Sequence, residues 1–135
     1  MSKYMDRAIA LRNDPNVHYN CAQSVLMSFS EEKGLSPDMA NALTANLGSG
    51  MRVGGTCGAM AGGLLVLGLY GVNDTPSVLS YWKEFKAKHD GMDQCRDLLS
   101  VNAKKGNPKK PHCDNMVYEA VELTERILRE NGKLE

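Results

Sequence analysis

Hydrophobic positions recur at helical spacing along almost the whole chain. Apolar residues three or four positions apart form successive stripes, and no segment alternates apolar and polar residues at the period of two typical of a strand. The predicted helices span residues 4–12, 21–33, 37–47, 58–71, 75–89, 94–99 and 113–130. The pattern therefore predicts an all-α fold, a single compact bundle of about seven helices around a buried, glycine-rich central helix.

Local signals set the expected helix ends. Asn20 is a candidate N-cap for the second helix, and Gly34 stands where that helix should stop. Ser36 followed by Pro37 is a strong start signal for the third helix. Asp93 is a candidate cap for the sixth. The segment 101–112 contains one glycine and two prolines, which predicts a loop before the last helix.

The longest apolar segment, residues 58–71, is too short to cross a bilayer, which needs roughly 20 residues. Its glycines and alanines favour close packing against neighbouring helices, although a bare backbone at Gly58 is also suited to approaching a cofactor or substrate. The glycine-rich residues 48–56 before it lack the pattern of a phosphate-binding loop. We therefore expect a buried core helix and no membrane insertion.

Length and composition are those of one ordinary globular domain. The 135 residues are 42% hydrophobic and 24% charged, and the 16 basic and 16 acidic residues cancel, which argues against a nucleic-acid partner. No signal peptide is evident, so a cytoplasmic location is expected. The single domain spans residues 1–135, with Leu134-Glu135 interpreted as a vector-derived scar.

The four cysteines carry the strongest chemical signal. None forms a CxxC pair, and all four are predicted in the first turn of a helix, on its apolar stripe: Cys21, Cys57, Cys95 and Cys113. Helix N-termini stabilise thiolates, so four such thiols could converge on one site in the core. The alternative is that each cysteine is an inert apolar filler.

Several basic residues lie close to these cysteines in the sequence. Arg52, Arg96 and His112 are candidates for lowering a thiol pKa, and His112 also for proton transfer or ligation, unless they face solvent. His18 has the same two interpretations, and His89 is expected at a helix end. The lysines of the predicted loop are expected to be solvated or, alternatively, to dock an acidic partner: Lys104, Lys105, Lys109 and Lys110.

Four ordered segments together resemble the C_GCAxxG_C_C (CGAxxG, four-cysteine) family of putative redox-active proteins. They are Asn20-Cys21-Ala22-Gln23-Ser24-Val25-Leu26, then Gly48-Ser49-Gly50-Met51 followed by Cys57-Gly58-Ala59-Met60-Ala61-Gly62-Gly63, then Cys95-Arg96-Asp97-Leu98-Leu99, and finally Cys113 with its helix. The similarity covers roughly residues 19–127. It implies a small helical protein with cysteine-dependent redox activity, but no substrate. Ser100 departs from the glycine more often expected there.

Two redox functions are nearly equal hypotheses. The protein is either an electron-transfer protein with a cluster or an oxidoreductase that exchanges disulfides. The four thiolates could hold an iron–sulfur cluster. Alternatively, Cys57 attacks a disulfide with Cys21 as its first-choice partner, leaving Cys95 and Cys113 as a second pair, and the protein exchanges electrons with a redox partner protein or a small thiol. A structural Zn(Cys)4 interaction module and plain helical packing without a cofactor are the alternatives. The oligomeric state is not predicted.

Overall fold

The computed structural model describes residues 2–134, and it confirms the all-α fold. The helices are α1 (Lys3–Arg12), α2 (Cys21–Ser30), α3 (Pro37–Thr44), α4 (Gly58–Leu69), α5 (Thr75–Ala87), α6 (Cys95–Lys104) and α7 (Lys109–Glu130). A short 3-10 turn, Glu31–Lys33, continues α2 to the left-handed Gly34. The described residues contain no strand, only an isolated antiparallel bridge between Thr56 and Gln94.

Polar caps explain where four of the helices begin. The side chains of Ser2, Asn20, Ser36 and Asp74 each accept a hydrogen bond from a backbone N–H three residues later. Asn20 does so within a capping box, since the Gln23 side chain also accepts from the Asn20 N–H at 2.8 Å. The predicted starts at Asn20 and Ser36 are thus confirmed, and the first of them fixes the residue that follows it, Cys21.

The predicted loop over residues 101–112 is wrong. Helix α6 continues to Lys104, and α7 already begins at Lys109, so only four residues separate the two helices. Pro111 misled the sequence interpretation, because a proline is tolerated in the first turn of a helix, where its missing N–H has no intrahelical partner. The predicted cap Asp93 is also wrong, since Gln94 occupies the N-cap position of α6 without a side-chain cap.

Helix α4 is the central helix, packed mainly against α2 and α7. Its glycines allow this approach: a Cβ at Gly62 would lie 2.9 Å from the Ala22 carbonyl oxygen, and one at Gly63 would overlap the Tyr81 hydroxyl. That hydroxyl donates to the Met60 carbonyl at 2.7 Å. The close-packing prediction for the glycine-rich helix is therefore confirmed.

Before α4, residues 48–56 form a loop with a left-handed turn, which we call the glycine loop. The residues Ser49 to Arg52 all have positive φ, between 52° and 63°. At Gly50 a side chain has no room, because a Cβ would lie 2.5 Å from the Gly55 oxygen and 2.7 Å from the Cys95 Cβ. The loop thereby packs its backbone directly against the first residue of α6.

Within residues 2–134, no helix is both long enough and apolar enough to cross a bilayer. Of the suspected scar, Leu134 packs against the hydrophobic core, and Glu135 lies outside the described residues.

Candidate functional site

All four cysteines line a single cavity of about 90 Å³. They come from α2, the start of α4, α6 and α7, four segments that are far apart in the sequence. The convergence expected from their placement on apolar stripes is what the fold produces. None of the four is in a disulfide.

The position of Cys113 differs from the prediction. Cys21 and Cys95 are the first residues of α2 and α6, and Cys57 is the N-cap residue of α4. Cys113, however, is the fifth residue of α7, because that helix begins at Lys109. Placement in a first turn is therefore wrong for Cys113, and the dipole of its own helix gives its thiolate less support than expected.

Cys57 and Cys95 come directly after Thr56 and Gln94, the two residues of the isolated antiparallel bridge. The Cys57 N–H donates to the Asp93 carbonyl at 2.8 Å, and the Cys95 N–H donates to the Gly55 carbonyl at 2.6 Å. These bonds tie the glycine loop to the segment before α6. They fix the backbone at both cysteines, so the two side chains enter the cavity from one rigid pair of strandlike segments.

Cys21 on α2 and Cys113 on α7 are in contact with each other. The Cys21 thiol lies 3.9 Å from the Cys113 carbonyl oxygen, and its interaction with the Cys113 thiol is the main cause of the pKa shifts of both residues. The bond from the Cys21 thiol holds the pKa of Cys113 at about 7, below its ordinary value, and the positive charges of Lys109 and Arg12 act in the same direction. Since Cys21 is the donor and is largely buried, its own pKa is raised.

The other two thiols have raised pKa values. Burial raises the pKa of Cys57 to about 11, although the backbone N–H groups of Met60 and Ala59 partly offset it. Burial is also the main cause of the raised pKa of Cys95. Cys57 is only 5% exposed, so its burial and its pKa both argue against the attacking role assigned to it from the sequence.

Arg12 is a functional candidate that the sequence interpretation missed. Its side chain is buried and lines the cavity. The Nε atom lies 2.7 Å from an Asp114 carboxylate oxygen, and Nη1 donates to the Tyr19 carbonyl at 2.7 Å. An arginine on the apolar stripe of the first predicted helix was the available signal, because a charged residue there must find a buried partner.

The other basic residues named as candidates differ in whether they reach the cavity. His18, Lys109 and His112 line the cavity, and burial lowers the pKa of His112. Arg52 and Arg96 are exposed and do not line it, which agrees with the solvent-facing interpretation of these two residues. His89 lies just beyond α5, with Nε2 3.0 Å from both carboxylate oxygens of Glu119.

The four cysteines of this cavity are the candidate ligands of a four-thiolate metal centre. The donor chemistry suits one, and Gly58 lines the same cavity. However, no three His, Cys, Asp or Glu side chains of residues 2–134 are close enough together to hold one ion. A metal ion shared by the four sulfurs would need them closer together than they lie in this structure.

Comparison with known proteins agrees with the four-cysteine pattern. Residues 19–127 match the family model described as "Putative redox-active protein (C_GCAxxG_C_C)". Comparisons with curated proteins and with solved structures found no match.

Proposed function

The chain belongs to the C_GCAxxG_C_C family of putative redox-active proteins, and on this premise we propose that it performs thiol–disulfide exchange through Cys113 and Cys21. The observation that carries the proposal is that both residues line one cavity, with the Cys21 thiol 3.9 Å from the Cys113 carbonyl oxygen. A thiolate beside a protonated thiol is the arrangement that a dithiol reductant needs: one sulfur attacks, and its neighbour resolves.

The reaction has two steps. The Cys113 thiolate attacks one sulfur of a substrate disulfide, which forms a mixed disulfide and releases the first substrate thiolate. Cys21 then loses its proton to the medium or to the departing thiolate and attacks the Cys113 sulfur. This second attack forms the Cys21–Cys113 disulfide and releases the second substrate thiolate. The substrate gains two electrons, and an external dithiol must return them to the protein.

The two thiols differ in the way these roles require. The pKa of about 7 at Cys113 leaves much of it ionised at neutral pH, and an attacking thiol works best when its pKa lies near the ambient pH. Cys21, whose pKa is raised, stays protonated until Cys113 has reacted and the hydrogen bond between them is lost. Cys57 and Cys95, whose pKa values are also raised, stay protonated at neutral pH.

A second candidate function is electron transfer through a Cys-ligated iron–sulfur cluster. It is favoured by the meeting of all four thiols on one cavity. It requires the thiols to move closer together, since no three of those described lie within reach of one ion. A Zn(Cys)4 centre requires the same movement. Exchange through Cys113 and Cys21 needs only the pair already in contact.

The test is cysteine-resolved alkylation of the reduced, anaerobic protein. Brief treatment with iodoacetamide across a pH series, followed by peptide mass mapping, should modify Cys113 first, with a midpoint near pH 7. Mild oxidation of a separate sample that has not been alkylated should join Cys113 to Cys21. A Cys95→Ser variant is the matched control and should retain both results. A Cys113 midpoint close to 9, the ordinary value, would contradict the proposal.

The same anaerobic sample separates the second candidate. Broad visible absorption together with stoichiometric iron would favour the cluster, and about one zinc per chain without iron would favour the structural centre. Exchange through free thiols predicts neither metal at stoichiometric amounts.

A further inference from the structure

The cavity around Cys113 carries positive charge. Arg12 and Lys109 line it, and no carboxylate of the described residues does. Asp114, which follows Cys113, is held by two cations: Arg12 Nε at 2.7 Å and Lys110 Nζ at 2.9 Å. Two positive charges around one carboxylate, with Lys109 added, leave a net positive environment beside the reacting sulfur.

Lys109 is the cation best placed to act on a substrate. It lies four residues before Cys113 on α7, a spacing that puts both side chains on the same helix face. It is exposed, and within residues 2–134 no carboxylate pairs with it. Its charge is therefore not neutralised by an internal ion pair, and its position at the cavity lets it interact with an anionic group of a substrate.

The size of the cavity limits what enters. A volume of about 90 Å³ has room for a few water molecules, on the order of six, and not for a folded protein segment. One sulfur of a small disulfide and the short chain attached to it fit this space. The groups at the end of that chain then lie at the rim, where Lys109 is exposed.

We infer that the disulfides reduced at this site are small and carry a carboxylate close to the reacting sulfur, with Lys109 as the residue that selects for it. The inference rests on the proposed exchange through Cys113 and Cys21. The positive charge acts twice, since it attracts the anionic substrate and also stabilises the thiolate that leaves. At a screened site near the surface, one such charge is worth on the order of 3- to 10-fold in rate.

The experiment compares three small disulfides of similar length: dianionic dithiodipropionate, neutral bis(2-hydroxyethyl) disulfide and dicationic cystamine. The rate at which the reduced protein releases the thiol of each probe is divided by the rate for a free cysteine derivative with the same probe. This division removes differences in the intrinsic reactivity of the probes. Wild-type protein should prefer the dianion over the dication, and high salt should reduce the preference.

Variants assign the preference to one side chain. Lys109→Met should lower the anion-to-cation ratio by about 3- to 10-fold, and Lys109→Glu should lower it further. Lys83→Met removes the same charge from an exposed position on α5 that does not line the cavity, and it should leave the ratio unchanged. A wild-type ratio near one, or a ratio that Lys109→Met does not alter, would overturn the inference.

The neutral probe separates this outcome from failure of the exchange itself. If the protein reduces the neutral disulfide no faster than the free cysteine derivative at pH 7, the proposed function fails. If it reduces that probe faster but shows no charge preference, only the substrate inference fails.

Discussion

At the residue scale, the environment of each sulfur decides its chemistry. Cys57 and Cys113 are the same residue type on one cavity, yet burial raises the pKa of the first and a hydrogen bond lowers that of the second. The sequence could predict that the thiols would meet. It could not predict which would ionise, because Arg12 and Cys21 approach Cys113 only through tertiary contacts.

The first prediction concerns the hydrogen bond between the paired thiols. Cys21→Ala removes the donor, so the pKa of Cys113 should rise from about 7 toward its ordinary value of 9. The alkylation rate of Cys113 against pH measures this shift. Cys95→Ala is the control, since Cys95 is not among the main causes of the lowered pKa of Cys113. An unchanged midpoint in Cys21→Ala would mean that the bond does not activate the thiol.

The second prediction concerns stability at alkaline pH. Cys57 has a folded-state pKa of about 11 and an ordinary value of 9, so above pH 9 only the unfolded state ionises there. Stability should therefore be complete below pH 9 and fall as the pH rises to 11, by about 2–3 kcal/mol from this group. Urea unfolding at several pH values measures the loss, and Cys57→Ala should show a correspondingly smaller one.

The contribution of Cys113 to stability changes with pH in the opposite direction. Its pKa is depressed in the folded state, so its contribution is present above pH 9 and is lost as the pH falls through 7. The unfolding free energy of the reduced protein should therefore rise between pH 7 and 9. Wild-type and Cys113→Ala curves that run parallel over this interval would argue against an ionised Cys113.

At the element scale, the sequence predicted the helices, and the largest error was the boundary between α6 and α7. Caps and stops are local signals, so the starts of α2 and α3 follow from Asn20 and Ser36 alone. The boundary between α6 and α7 depends instead on whether Pro111 breaks a helix or lies in its first turn. Only packing of the whole helix decides that choice, and the error carried over to the expected position of Cys113.

The third prediction uses two glycines of α4. Gly62→Ala places a methyl group 2.9 Å from the Ala22 carbonyl oxygen and should destabilise the fold by about 1–3 kcal/mol through overpacking. Gly68→Ala meets nothing within 4 Å and should stabilise the helix by about 1 kcal/mol. Urea unfolding measures both. Equal effects at the two positions would show that the α2–α4 contact is looser than described.

At the scale of the whole molecule, the cavity joins segments that only the complete fold brings together. The placement of each cysteine on an apolar stripe predicted this convergence, because apolar stripes face a common core. The partly buried pair of Arg12 and Asp114, 102 residues apart, could not be predicted, since nothing in the sequence specifies which acid meets which base.

The fourth prediction follows from the distance in sequence between the paired thiols. Cys21 and Cys113 are 92 residues apart, so a disulfide between them would restrict most of the unfolded chain. The oxidised protein should unfold with a free energy about 2–4 kcal/mol higher than the reduced one. Urea unfolding with and without reductant measures this, and Cys21→Ser should abolish the difference. A less stable oxidised form would show that closing the bond distorts α2 or α7.

The order in which the chain is synthesised gives the separation of these thiols another meaning. Arg12 and Cys21 leave the ribosome well before Cys113, which lies on α7, 92 residues after Cys21. Until α7 folds against α1 and α2, the hydrogen bond and the positive charges that ionise Cys113 are not assembled around it. A nascent chain in which α7 has not yet packed therefore lacks the contacts that lower the pKa of Cys113, and the reactive sulfur arises only when α7 packs against α1 and α2.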